Sequence, residues 1–424
     1  MKKKFLLIVA VTLSLVLCSQ TIIYSQKSPE KESVSQDKTY DQLKLLLDIL
    51  TYTQQNYVTE VDTQKLIYSA ASGMMRPLDP FSQFMEPKIY EEMKIETEGK
   101  YGGLGIRISI KEDWLTVITP MPGTPAARIG ILPLDKIIKI EGETTKGITM
   151  EEAVKKLRGD PGTKVKITII RENVKEPMEF EITRELIKLE TIRYKMIDDT
   201  IGYIQLIEFN QNAYKDMEKA LDEIKSKITR GLIFDLRNNP GGLLDSAVEI
   251  SKFFLGDEKM IVYTKGKTPQ SNREYHAAKS AKYPDVPVVV LINRGSASGS
   301  EIVAGALQDH KRAVVIGSRT FGKASVQSVL PLSGGSALKL TTAKYYTPSG
   351  RLIQVDTETK KGGIEPDIKI EVTPETEAKL IAQQEVYYPP GQEQPKAAKE
   401  EKVTDEVLER AVSLLKAREI FFSK

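Results

Sequence analysis

The sequence predicts a multidomain α/β protein with a small helical N-terminal region, and three observations carry that prediction. Residues 190–370 alternate strand-like apolar runs with helix-like stretches, the pattern of an α/β core. Residues 97–186 gather short β-rich runs around two short helical stretches, the texture of a separate compact domain. Apolar residues recur at helical spacing near both ends, at Leu43, Leu46, Leu47 and Leu50 and again at Val407, Leu408, Ala411, Val412, Leu414 and Leu415. A chain of 424 residues, at ~100–200 residues per domain, accommodates two or three such domains.

The chain opens on Lys2, Lys3 and Lys4 followed by the apolar run 5–17, the charge and length pattern of an export signal. Residues 1–25 are therefore expected to be a signal peptide or membrane anchor that sends the protein to the periplasm or cell envelope. Small residues near Ser19 and Ser25 would permit cleavage. Leu15-Val16-Leu17-Cys18 has a faint likeness to a lipidation site, and an uncleaved 5–24 would just span a bilayer. Polar residues 26–38 read as a linker. Residues 39–96 read as a helical region, in which Asp62 caps a second helix that Pro77 and Pro80 stop.

Within 97–186, strands are expected at 105–110, 115–118, 136–141, 164–171 and 178–183, with helices at 126–129 and 150–157. The α/β core is expected over 187–372, with strands at 201–206, 231–236, 286–292 and 313–316. The run 286–292 is continuously apolar and bounded by proline and glycine, as a strand buried on both faces requires. Residues 373–401, rich in proline, glutamine and lysine toward their end, read as a flexible segment, and 402–424 as a C-terminal helix.

Composition removes several function classes. One cysteine, Cys18, excludes a disulfide framework and a cysteine-rich zinc site. Two histidines, His276 and His310, count against a metallohydrolase, so no metal and no cofactor are expected. The net charge of +3 belongs to the first lysines: 61 basic residues less these three leave 58 against 58 acidic ones. Bulk charge therefore argues against a nucleic-acid partner.

In the β-rich domain, Tyr101-Gly102-Gly103-Leu104-Gly105-Ile106 opens a strand. Glycines there let successive backbone N–H groups turn inward as a nest for an anion such as a peptide carboxylate, while the following strand pairs with the peptide backbone. A plain β-turn is the other reading of the same residues. The order of this run, Pro125-Ala126-Ala127-Arg128-Ile129-Gly130, Leu134-Asp135-Lys136-Ile137-Ile138 and the helix from Met150 resembles a PDZ domain of the bacterial, protease-associated type. That resemblance implies binding of extended, apolar C-termini beside Gly103, Leu104, Gly105 and Ile106.

In the core, Gly295-Ser296-Ala297-Ser298-Gly299-Ser300-Glu301 follows the buried strand and opens a helix. A serine at such a junction is exposed at a tight turn, with free N–H groups and a positive dipole end beside it for an oxyanion. Ser298 or Ser300 as a simple N-cap is the competing reading. A serine nucleophile needs a base. His310 stands twelve positions along the same helix from Ser298, roughly 18 Å away, too far for a hydrogen bond. Lys323, among Phe321, Ala324 and Val326, is the other candidate, because an apolar setting lowers a lysine pKa. A solvated charge is its alternative reading. If 322–329 is a strand, Lys323, Ser325 and Gln327 share a face.

Ser296-Ala297-Ser298-Gly299-Ser300-Glu301, Gly305-Ala306-Leu307-Gln308-Asp309 and Phe321-Gly322-Lys323 resemble the carboxy-terminal processing peptidases, also called tail-specific proteases. Leu78-Asp79-Pro80-Phe81-Ser82, Asp235-Leu236-Arg237-Asn238-Asn239-Pro240-Gly241-Gly242, Lys344-Tyr345-Tyr346-Thr347-Pro348 and Gly363-Ile364-Glu365-Pro366-Asp367 continue the match in family order across residues 40–370. The resemblance implies a ClpP/crotonase-like α/β protease core with an inserted PDZ domain. It further implies Ser298 as nucleophile, Lys323 as base, Gln327 as its assistant and the amides of Gly241 and Gly299 as oxyanion hole. Arg158 resembles an arginine linked to gating by the PDZ domain, with a solvated loop arginine as its alternative. Gly299 stands where alanine is usual and Ala324 where glycine is usual. The terminal helices resemble dimerisation segments.

The function expected is a serine endopeptidase that grips protein C-termini and cleaves through an acyl-enzyme in processing or degradation of envelope proteins. Its expected partners are protein or peptide substrates with apolar C-termini, a second copy of the chain, and the membrane through the N-terminus. The alternative is a noncatalytic PDZ scaffold or chaperone, against which the intact Ser298 and Lys323 pair argues. A metalloprotease, which would be sensitive to chelators, is not expected.

Overall fold

The computed structural model describes residues 30–172, 174–356, 358–359, 361–385 and 403–422. The export signal and residues 386–401 lie outside them. The chain forms two compact units, Met1–Leu78 and Asp79–Lys424.

The first unit contributes α1 (Glu30–Asn56) and α2 (Thr63–Met75). The Asp62 carboxylate accepts the Lys65 amide at 3.1 Å and so caps α2. Helix α1 begins inside the segment expected to be a linker, because 30–38 holds no proline or glycine to stop a helix. Leu43, Leu46 and Leu47, the apolar stripe read from the helical spacing, are exposed.

The second unit starts with a short strand and helix, β1 (Gln83–Met85) and α3 (Pro87–Glu98), so 79–96 belongs with the core rather than with the N-terminal helices. Strand β2 (Lys100–Gly103) leads into the β-rich domain: β3 (Ile106–Lys111), β4 (Trp114–Pro120), α4 (Pro125–Arg128), β5 (Lys136–Ile140), β6 (Glu143–Thr144), α5 (Met150–Leu157), β7 (Lys164–Ile170) and β8 (Met178–Thr183). The sheet runs β3-β4-β5-β7-β8, with β6 beside β5. Strand β9 (Glu185–Lys188) returns antiparallel to β2, so the domain joins the core through a two-stranded neck.

The core sheet runs β10-β11-β12-β15-β16-β19: β10 (Ile192–Met196), β11 (Ile201–Leu206), β12 (Gly231–Asp235), β15 (Val288–Ile292), β16 (Ala313–Gly317) and β19 (Ile368–Lys369). Strands β11, β12, β15, β16 and β19 are parallel. Every residue of β12 and β15 is buried, as a parallel sheet covered on both faces demands. Leu232, Phe234, Val288, Val290 and Ile292 pack toward α6 (Ala213–Ile224), α7 (Leu244–Ser251) and α8 (Gly299–Asp309). Ile233, Val289 and Leu291 point the other way, onto Val407, Ala411 and Leu415 of the last helix, α10 (Glu406–Phe422). The stripe expected to serve dimerisation is thus covered by the chain's own sheet. Helix α9 (Pro374–Glu385) occupies part of the segment expected to be flexible.

A second core sheet was not evident in the sequence. It orders β1, β18 (Ala337–Tyr346), β13 (Met260–Gly266) and β14 (Arg273–His276), with β17 (Ser325–Pro331) also on β18. It brings Gln83 against Lys339, 256 positions away in sequence.

Candidate active site

The turn between β15 and α8 assigns its three serines different work. The Ser296 hydroxyl donates to the Leu236 carbonyl at 2.7 Å, and the Ser300 hydroxyl to the Asn239 carbonyl at 3.0 Å. Both are buried and lock this turn to the loop after β12. Ser298 alone is half-exposed, and its φ of 52° is in a region a side chain rarely adopts. It precedes α8, yet its hydroxyl makes no capping bond. The Glu301 amide runs to the Ser298 carbonyl oxygen instead, at 2.9 Å.

Glu301 organises the site, and sequence reasoning had treated it only as part of a helix start. Fully buried, it accepts the amides of Ser298 (2.8 Å), Gly322 (2.7 Å) and Lys323 (2.9 Å) and the Thr320 hydroxyl (2.5 Å). Burial pushes its carboxyl up to about 7 against those four donors. One carboxylate therefore ties the backbones of Ser298 and Lys323 together. The Ser-x-x-Glu spacing of a capping box was the available signal.

Lys323 lies in the loop before β17, not on the strand, which begins at Ser325. A register shift between Val326 and Gln327 breaks the simple alternation expected there, and Val326 and Gln327 line the same cavity. Burial depresses the Lys323 pKa, with Lys339 adding to the effect and Glu301 and Asp79 opposing it. Its Nζ lies 4.8 Å from the centroid of the Phe81 ring. Gln327 Nε2 donates to the Phe81 carbonyl at 2.5 Å.

Ser298, Lys323 and Gln327 open on one cavity of about 250 Å³, whose walls include Leu244, Tyr345, Lys339, Glu96 and Glu208. No hydrogen bond joins Ser298 to Lys323 among the described residues. Instead the Ser298 hydroxyl meets that of the fully buried Tyr345, which itself donates to the Lys323 carbonyl. Glu208, missed in the sequence, is pushed up to about 7 by burial and by Glu96.

Gly241 approaches Ser298 so closely that a Cβ there would stand 2.6 Å from the Ser298 Cβ, and its φ is 101°. The expected oxyanion donor is nevertheless engaged: its amide donates to Asn239 Oδ1 at 2.9 Å. That bond is a local side-chain turn, with Asn239 itself anchored to the Leu206 carbonyl. The Gly299 amide has no acceptor among the described residues. Glycine in place of alanine at 299 has a local reason, since a Cβ would meet the Phe209 ring at 3.0 Å. Ala324 is fully buried, its amide donating to Gln354 Oε1 at 3.1 Å.

His310 ends α8, with Nε2 2.7 Å from the Met260 carbonyl, outside the cavity. Among the described residues no group of histidine, cysteine, aspartate or glutamate could hold a metal ion.

In the β-rich domain, Tyr101, Leu104, Gly105, Ile106, Val154, Leu157 and Arg158 line a groove of about 70 Å³. The amides of Leu104 and Gly105 have no acceptor among the described residues, as a carboxylate nest requires. Gly105, at φ 73°, lies where a Cβ would strike Thr124. Gly103 does not line the groove: it pairs with Glu185 in the neck. The Arg158 guanidinium covers the Tyr101 ring, 4.5 Å from its centroid.

Comparison with known proteins bears on the whole assembly. Residues 200–370 match peptidase family S41, residues 116–171 a PDZ domain, and residues 11–89 the N-terminal domain described for the activating protease CtpB. The chain is 43% identical over 341 residues to a carboxy-terminal-processing protease of Bartonella bacilliformis, covering 80% of this chain and 77% of that protein. It is 34% identical over 369 residues to the carboxy-terminal processing protease CtpA of Bacillus subtilis, covering 86% and 75%. A solved photosystem II D1 C-terminal processing protease aligns at 28% identity and a TM-score of 0.45, over 77% of this chain and 92% of that one. These matches, with a relative 43% identical over most of both chains, show that the chain belongs to peptidase family S41 as a serine-type, carboxy-terminal processing protease.

Proposed function

We propose that the protein is an endopeptidase that captures protein C-termini in the groove beside Leu104, Gly105 and Ile106 and cleaves them with Ser298 and Lys323 through an acyl-enzyme. The observation that carries this reading is the shared cavity: Ser298 at a strained backbone angle and Lys323 with its pKa lowered by burial open on it, one carboxylate holding both backbones. Neutral Lys323 Nζ takes the proton from Ser298 Oγ as Oγ bonds to the scissile carbonyl carbon. The oxyanion settles on the Gly299 amide and on the Gly241 amide once that leaves Asn239. The C–N bond then breaks, the leaving amine takes the proton from Lys323, and an ester remains on Ser298. Water attacks the ester, giving its proton to Lys323. Collapse releases the acid, and the proton returns to Ser298.

The arrangement described here is a resting one in this scheme, with Ser298 on Tyr345, Lys323 on Phe81 and the Gly241 amide on Asn239. Gln327 steadies the Lys323 amine after both leave Phe81. Arg158, which lines the peptide groove and has no carboxylate partner among the described residues, is positioned to answer a bound C-terminal carboxylate.

Residues 1–25 export the chain to the cell envelope, where its substrates are. No helix among the described residues is long and apolar enough to cross a membrane. The exposed leucines of α1 are the surface for a second copy of the chain.

The test is digestion of an unfolded protein with an apolar C-terminus. Ser298→Ala and Lys323→Ala are each expected to lose at least about a thousandfold in kcat, while His310→Asn retains activity. Cleavage persisting in Lys323→Ala refutes the Ser–Lys mechanism. Mass-spectrometric comparison of envelope proteins treated with the wild type and with Ser298→Ala identifies the substrates.

A further inference from the structure

Residues 79–82 form a tight loop fastened to β18. Asp79 accepts the amides of Phe81 (2.7 Å) and Ser82 (2.8 Å) and the Ser82 hydroxyl (2.7 Å). The Ser82 hydroxyl in turn accepts the Thr341 amide at 3.0 Å. What this loop presents to Lys323 and Gln327 is Phe81. Its ring lies 4.8 Å under the Lys323 Nζ, and its carbonyl holds Gln327 Nε2 at 2.5 Å. One residue therefore touches both side chains that the Ser298–Lys323 mechanism needs to be free.

We propose that Phe81 is a positioning residue that holds Lys323 charged and away from Ser298, with Gln327 beside it, and that release of this contact arms the base. The proposal rests on the Ser–Lys reading above. An aromatic face attracts an ammonium and has no comparable attraction for a neutral amine, so the ring favours the protonated lysine. Burial favours the neutral one, and the two act in opposition at a single nitrogen. The other groups that bear on Lys323 are Lys339 and Tyr345 from β18, Glu301 from α8 and Asp79 from the loop itself, and Glu96 and Glu208 line the same cavity. None of them is altered in the variants below.

The sign is explicit. Removing the ring lowers the Lys323 pKa, so the neutral amine appears at lower pH and the rising limb of the rate profile moves toward acid. The measurement is made on the full chain, as kcat/KM for an internally quenched peptide and as the rate at which a fluorophosphonate labels Ser298. Both are followed from about pH 5 to about pH 10, across the carboxylate and lysine ranges. Phe81→Leu is expected to move the limb down by about one pH unit and to raise labelling on that limb by up to about tenfold. Phe81→Tyr, which keeps a ring, leaves the limb in place.

A Phe81→Leu protein that melts like the wild type but keeps the wild-type limb overturns the proposal, as does a uniform loss of rate at every pH. If Phe81→Leu does not fold, Phe81→Met takes its place with the same expectation. Failure of both to fold makes Phe81 a packing residue and also overturns it. A limb that survives in Lys323→Ala is a different outcome: it removes Lys323 as the base, and with it the Ser–Lys reading itself.

Discussion

Glu208 stands half-buried on the cavity wall near Glu96, and its carboxyl is raised from 4.5 to about 7, by burial first and by Glu96 second. A carboxyl raised in the folded state binds its proton more tightly folded than unfolded. Its contribution to stability is therefore complete below about pH 4.5 and is lost as pH rises through about 7. Glu208→Gln, which mimics the protonated form, should melt close to wild type at about pH 5 and above it at about pH 8. Scanning calorimetry at the two pH values checks this, and a difference that does not widen with pH removes the burial account. Glu301 has a similarly raised carboxyl, but its four donors make it a structural tie rather than a titrating wall. At this scale the proposed nucleophile and base were singled out by the resemblance of their runs to a known family, since the residue types alone left an N-cap serine and a solvated lysine as open readings. Phe81 was not, since its contact with Gln327 spans 246 positions and depends on a carbonyl, which no residue type announces. Gly241 shows the same limit: its identity was readable, the direction of its amide was not.

Helix α10 closes the second face of the core sheet, and it is anchored by charge as well as by apolar packing. Arg237, almost wholly buried at the end of β12, donates to both oxygens of Asp405 at 2.9 and 2.8 Å and is also held by Asp235. Asp405→Ala leaves that guanidinium with one carboxylate fewer in a desolvated place. It should cost about 3 kcal/mol of stability, read as a lower denaturant midpoint. Because Arg237 begins the loop that carries Asn239 and Gly241, the same variant should also lower kcat. The continuously apolar β15 was read within two residues, whereas β13 and β18 escaped, since Met260–Gly266 and Ala337–Tyr346 mix buried residues with polar ones on a half-covered sheet. Helix α9 was hidden by its polar composition, and α10 was recognised as a helix without its place on the core sheet, because a stripe shows that something is buried and not by what.

For the whole molecule, the N-terminal unit carries the largest contrast between apolar content and burial. Leu43, Leu46 and Leu47 are 55%, 45% and 66% exposed in the single chain. A chain beginning at Asp79, where the second unit begins, should keep the core sheets and sediment as a monomer, while the longer chain sediments as a dimer. Equal sedimentation of the two assigns those leucines no role in assembly. Texture separated a β-rich segment from an α/β one, but it did not show where the core begins: β1 precedes the β-rich domain in sequence and pairs with β18 long after it. The neck formed by β2 and β9 bears on how such a molecule could arise and be rebuilt. Lys100 faces Lys188 across adjacent antiparallel strands, so the chain leaves the core and re-enters it about 5 Å apart. A guest whose own termini meet at that spacing closes the gap at little entropic cost. The neck is a socket, and through it the catalytic body can inherit a different reader of protein tails without relearning how to fold.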